Sequence, residues 1–252
     1  MTQSHLAPSF YIGWDVGGWN CEKNGKSRDA IVILDAALQI VGKPWRGNLR
    51  TTLNAVNRTD AFIDALFALC GCSSGLALGA EAAQPPAPRI ALAIDTPLGF
   101  PQALVELVTG FQCVEPIDQS STNPYLFRHT ERFLFAHGLK PLSAVKDMIG
   151  SQATKGMHAL AQFAPRRISC GVWTDARHLV AIEAYPSACK TSHIMANLLQ
   201  GFPALNHPDQ TDALTCALVA YLFDQRREAL AAPYASVPPS EGWIWVTRDS
   251  LA

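Results

Sequence analysis

The sequence predicts an α/β domain: a mixed five-stranded sheet flanked by helices, with a mainly helical insertion over about residues 111–175. Two observations carry this expectation. Short runs of strand-forming residues at 10–14, 90–94 and 179–182 are each closed by a carboxylate, and stretches with helical apolar spacing lie between and after them. With 252 residues, 48% of them hydrophobic and 16% charged, the chain can bury a full core as one domain spanning 1–252.

Residues 10–15 alternate toward a buried strand, the Asn24-Gly25 pair marks a loop, and 30–35 and 38–43 read as two further strands joined by a tight turn, giving an antiparallel meander. TDAFIDALFALC at 59–70 has Phe62, Ile63, Leu66, Phe67 and Leu69 at helical spacing with Asp60 in its first turn. The Gly-, Ser-, Ala- and Pro-rich stretch 71–89 reads as a loop. The continuous apolar run 90–95 reads as a strand buried on both faces, and therefore parallel to its neighbours. Pro97 and Pro101 stop it, and 102–109 starts a helix. The segment 111–173 shows helical pieces at 131–137 and 154–163 but no strong strand. Residues 179–184 resume the sheet, 209–230 form the longest helix, and GWIWV at 242–246 reads as a final edge strand.

Composition narrows the function classes. The seven cysteines are odd in number and scattered, which suits reduced thiols and a cytoplasmic protein better than a disulfide framework. Cys70-x-Cys72 has no second pair at zinc spacing and reads as packing. MTQSHLAPSF has neither a basic start nor an apolar core, and no run approaches about 18 apolar residues, so secretion and membrane partners are not expected. A net charge of −1 argues against a globally basic nucleic-acid binder. Residues 128–167, however, hold seven basic side chains against two acidic ones, a local +5 that is either a solvated face or a phosphate-contacting one. No Walker lysine loop and no G-x-G-x-x-G is present, so a dinucleotide cofactor is not expected.

Four acidic motifs concentrate the chemistry: GWDVGG at 13–18, AIDTPLGFP at 93–101, AIEAYPSA at 181–188 and HPDQTDALTCALVAYL at 207–222. Asp15 precedes two glycines that would let backbone and a phosphate approach closely. Asp95 ends a buried strand, where an unpaired carboxylate is costly unless a cation or hydrogen bonds compensate, and Pro97 holds Thr96 extended. Glu183 repeats the strand, carboxylate, proline order, and the alternative for it is a salt bridge to the basic insertion. Asp209 and Asp212 open the last helix, where carboxylates also satisfy free amides and the helix dipole without any catalysis. Arg128 and Arg132 share a helical face and suit either a phosphate or a carboxylate such as Glu131, and Lys155 lies in the same basic segment. His193 and His207 are candidate proton carriers, more often structural. Trp243 and Trp245 share a strand face that either stacks bases or covers the sheet.

The order of meander, helix, buried strand, helix, further strand and C-terminal helix resembles that of the ribonuclease H-like fold. The motifs GWDVGG, AIDTPLGFP, NPYLFRHTER, AIEAYPSA, HPDQTDALTCAL and EGWIWV resemble, over nearly the whole chain, a widespread family of unknown function predicted to be RNase H-like nucleases. The D-x-x-D helix start is also similar to the last motif of RuvC-type junction resolvases. In such a fold the first and fourth strands lie side by side, roughly 4.8 Å apart, so Asp15 and Asp95 would share a cation.

The resemblance implies a metal-dependent nuclease acting on DNA or RNA. Asp15, Asp95, Glu183 and Asp212 would be catalytic Mg²⁺ or Mn²⁺ ligands, with Asp209 as a substitute and Arg128, Arg132 and Lys155 on the substrate. Hard divalent cations prefer carboxylate oxygens, and a pair of them activates water and stabilises the leaving oxygen of a phosphodiester. Two other classes stay open: an actin-like phosphotransferase, which would need a second copy and hence a homodimer, and a non-catalytic nucleotide- or protein-binding module.

Overall fold

The computed structural model describes residues 9–74, 89–114 and 116–251. Its elements run β1 (Ser9–Asp15), β2 (Asp29–Leu34), β3 (Trp45–Gly47), α1 (Arg50–Ala55), α2 (Thr59–Leu69), β4 (Arg89–Asp95), α3 (Gln102–Gly110), α4 (His129–Ala136), α5 (Gly150–Phe163), β5 (Arg166–Ser169), β6 (Val172–Thr174), β7 (Leu179–Ala184), α6 (His193–Leu199), α7 (Pro208–Gln225) and β8 (Ile244–Trp245). The described strands form one mixed sheet in the order β3-β2-β1-β4-β7-β6-β5, with β8 also paired to β7. β1, β4 and β7 are parallel to one another, while β2, β3, β5 and β6 pair antiparallel.

Period-two alternation sends the strands' side chains into two apolar layers. Tyr11, Val32, Leu34, Ala91, Ala93 and Ile182 pack with α7. Ile12, Trp14, Ile31, Ile33, Leu92 and Ile94 pack on the other face with Phe62 and Leu66 of α2 and Leu160 and Phe163 of α5. The helix α7 is apolar almost all round, as a helix buried in a core should be. It lies directly on β1 at Gly13, where a Cβ would stand 1.8 Å from the Ala213 carbonyl oxygen. Among the described residues no helix is long and apolar enough to cross a membrane.

The sheet is larger than the expected five strands. The stretch 38–43 is not a strand: it meets β2 at an isolated Leu34–Ile40 bridge, where the Val41 N–H donates to the Ile33 carbonyl at 2.8 Å, and Leu38 and Gly42 stand at positive φ. The third strand comes after Pro44, whose missing N–H cannot serve a ladder. The insertion is not wholly helical either, because RRIS and VWT form a hairpin turning at Gly171, φ +69°. GWIWV supplies the expected edge strand at Ile244–Trp245: β8 pairs with β7 alone, at Glu183 and Ala184, beyond the 180–182 stretch that β6 covers. Trp243 and Trp245 are buried, their indole N–H groups donating to the Ala231 and Gly171 carbonyls, which leaves neither for base stacking. Residues 75–88 of the expected loop, and the first eight residues, lie outside the described ones.

Candidate active site: a carboxylate cleft at the strand ends

Parallel pairing of β1 with β4 runs in register to the last residue, so Asp15 and Asp95 are direct neighbours across the ladder. Both carboxylates open on a cleft of about 200 Å³ that Thr96 and Pro97 of the β4 exit also line. Burial first, then the charges of Asp95, Asp209, Asp212 and Asp29, push the Asp15 carboxyl up to about 9. Burial, then Asp212 and Glu183, raise Asp95 well above the carboxylate range. Asp212, one turn into α7, is raised by burial and by Asp209 against the opposing pull of Lys190. Like charges held in a poorly solvated site disfavour ionisation, the condition a cation relieves. Thr96 is 4% exposed, and its hydroxyl, beside Asp95, is buried without a hydrogen-bond partner among the described residues.

The other predicted ligands are already engaged. Both oxygens of Glu183 accept from Arg128, Nη1 at 2.8 Å and Nη2 at 2.6 Å, and one also accepts from the Leu98 N–H at 2.9 Å. Asp209 accepts the Arg28 N–H at 2.9 Å and Arg46 Nε at 2.8 Å, and His207 caps α7 by accepting the Asp209 N–H. Among the described residues, the carboxylates that face the cleft without such partners are therefore Asp15 and Asp95, with Asp212 in electrostatic contact. Among the described residues, no group of three or more His, Cys, Asp or Glu side chains is arranged to hold a metal ion as it stands.

Two of the three expected substrate-binding cations are internal. Arg128 is 1% exposed, clamped between Glu131 and Glu183, and also donates to the Glu241 carbonyl. Lys155 is fully buried on Asp29 and donates to the carbonyls of Gly17 and Gly18 and to Asn48 Oδ1. Neither meets a ligand, because a guanidinium or ammonium taken out of water must be paired where it lies. Arg132 is half-buried, with its Nε lacking a partner.

Sequence reasoning missed Asp29, Glu241 and Thr96. Asp29 accepts the Gly17 N–H at 2.9 Å, the Leu49 N–H at 2.6 Å and the Trp14 indole at 3.0 Å, so with Lys155 it fixes the loop that follows Asp15. A Cβ at Gly17 would come within 2.7 Å of the Asp29 nitrogen, so this glycine serves internal packing. Glu241 accepts the first amides of both α3 and α4, at Gln102 and His129, and the His129 ring. An acid opening a buried run, as in DAIVIL and EGWIWV, was the only available signal. The chain matches no family model, no curated protein and no solved structure.

Proposed function

We propose that this chain is a metal-dependent nuclease of RNase H-like architecture, cytoplasmic, hydrolysing phosphodiester bonds in nucleic acid. The observation that carries the reading is the in-register pairing of Asp15 with Asp95 at the cleft. The meander β3-β2-β1 followed by parallel β4 and β7, with α7 across them, supports the architecture. The orphaned Thr96 hydroxyl and the raised carboxyls of Asp15, Asp95 and Asp212 fit a Mg²⁺ or Mn²⁺ ion held by few carboxylates, with water and substrate oxygens completing its shell. At such a site a divalent cation supplies activation of water and neutralisation of charge on the phosphodiester. Asp15 and Asp95 would hold it, Asp212 would take a third position or orient water, and Glu183, through Arg128, would keep the β7 end in place.

The test is cleavage of single- and double-stranded DNA, RNA and hybrids with Mg²⁺ or Mn²⁺. Asp15→Asn and Asp95→Asn should abolish it, and Asp212→Asn should lower it by about a hundredfold or more. Undiminished cleavage by Asp15→Asn would discard the assignment. The engagement of Glu183 and Asp209 by arginines favours one rival, a binding module without catalysis. Absence of both Mn²⁺ binding and cleavage in the wild type would select it.

A further inference from the structure

The cleft that holds Asp15 and Asp95 has a second half that the carboxylate chemistry does not use. Its lining includes Pro141, Leu142 and Ile149 from the segment between α4 and α5, Tyr185 and Ser187 after β7, and Gln152 of α5. This portion is largely apolar, with an amide, a hydroxyl and a phenol among the apolar groups. Leu142 is 50% exposed, and the Tyr185 hydroxyl is tied to the Lys140 carbonyl at 2.9 Å, which fixes the ring. Half of the Leu142 surface is therefore left for contact at the edge of the cleft.

Size and charge both argue about what enters. A space of about 200 Å³ admits a planar ring with its sugar and not the width of a duplex. A duplex is gripped by many phosphate contacts, commonly about 6–10. Of the seven cations in the basic segment expected to make them, Arg128 and Lys155 are consumed in buried ion pairs, and none of the seven lines the cleft. What remains is a pocket with an anion-handling end at Asp15 and Asp95, given a divalent cation, and an apolar end beside it. Enzymes that act on one nucleotide hold it in this way, with the base between apolar or aromatic side chains and out of the stack.

We propose that the cleft takes a single unpaired nucleotide unit, its base or sugar against Pro141, Leu142, Ile149 and Tyr185 and its phosphate toward Asp15 and Asp95. This rests on the proposed function and narrows its substrate to unpaired nucleic acid or free nucleotide. A duplex is engaged only where an end has opened.

The experiment is binding, in Mn²⁺, of a fluorescent single-stranded oligonucleotide, a blunt duplex of the same sequence and a nucleoside 5′-monophosphate, to wild type, Leu142→Ala and Leu142→Glu. Mn²⁺ binding is measured separately by calorimetry. The expected result is at least tenfold tighter binding of the single strand than the duplex, and about tenfold weaker single-strand binding in Leu142→Ala with unchanged Mn²⁺ affinity. Monophosphate competing at the same concentration as the oligonucleotide would identify free nucleotide as the source, and preference for the oligonucleotide would identify a strand end. Mn²⁺ binding with equal affinity for duplex and single strand, or indifference to both Leu142 variants, overturns the inference and leaves the metal site standing. Failure to bind Mn²⁺ at all overturns the proposed function beneath it.

Discussion

Replacing Arg128 by methionine removes the cation at the centre of a buried network and leaves its partners behind. Arg128 Nε donates to Glu131 at 2.7 Å, Nη1 and Nη2 donate to Glu183 at 2.8 and 2.6 Å, and Nη1 donates to the Glu241 carbonyl at 2.9 Å. Glu131 and Glu183 are 1% and 2% exposed, so water reaches neither without opening the structure. Hydrogen bonds to charged groups contribute about 1.5–3 kcal/mol each, and summing them overshoots, because the orphaned carboxylates can take up protons instead. From an ordinary Glu value near 4.3, protonating one carboxyl at pH 7 costs about 3.7 kcal/mol. One protonation with the two carboxyls then sharing a hydrogen bond gives a loss of about 4 kcal/mol, within the range of about 3–5 for breaking a buried pair.

The sign with pH follows. In Arg128→Met the folded state holds a proton between Glu131 and Glu183 that the unfolded state has released, so the deficit grows as pH rises above the unfolded value near 4.3 and shrinks as pH falls toward it. Urea unfolding at pH 5 and pH 7.5 reads both quantities. The triple variant Arg128→Met, Glu131→Gln, Glu183→Gln should recover more than half of the loss, since no charge is left stranded. A loss below about 1 kcal/mol at pH 7.5, or a deficit that does not change with pH, would refute the network as a stabilising unit.

Other outcomes follow from the same geometry. Asp15→Asn should stabilise the metal-free protein: a folded carboxyl pushed up to about 9 weakens the fold progressively as pH rises above the ordinary carboxylate range, by a ceiling of about 4 kcal/mol at pH 7 and about 2 once Asp95 shares the proton. Urea melts with and without Mn²⁺ check this, and a mutant less stable than wild type at pH 8 without metal would contradict it. Lys155→Met strands Asp29 and frees the Gly17 and Gly18 carbonyls, so it should cost about 3 kcal/mol and speed amide exchange in the loop after β1. Gly13→Ala drives a methyl group into the α7 backbone and should prevent soluble expression or cost about 3 kcal/mol or more, a fall in melting temperature of about 6–12 °C or more.

Local pattern determined much of this protein by itself. β1, β4 and β7 were legible because each is a run of apolar, strand-forming residues that no helix period fits, and α2, α4 and α5 because their apolar spacing is helical. The ends of β1, β4 and β7 were marked by Asp15, Asp95 and Glu183, and the sequence placed an acid at every strand exit that lines the cleft. Short strands such as β5 and β6 were not legible, since three or four residues hold too little periodicity, and their pairing depends on β7 arriving later in the chain.

Which charges are free was decided only by tertiary structure. Glu183 and Asp95 have the same local grammar, yet Glu183 faces Arg128 and Asp95 faces Asp15. Arg128 and Lys155 read as substrate-contacting cations in a basic stretch and are, among the described residues, the two buried ones, because partners over fifty and over a hundred residues away, Glu183 and Asp29, meet them in space. A sequence states which groups carry charge. Their pairing is set by long-range packing, which brings together residues whose separation along the chain carries no signal, and in this protein that pairing separates Asp15 and Asp95 from the carboxylates that only hold the fold.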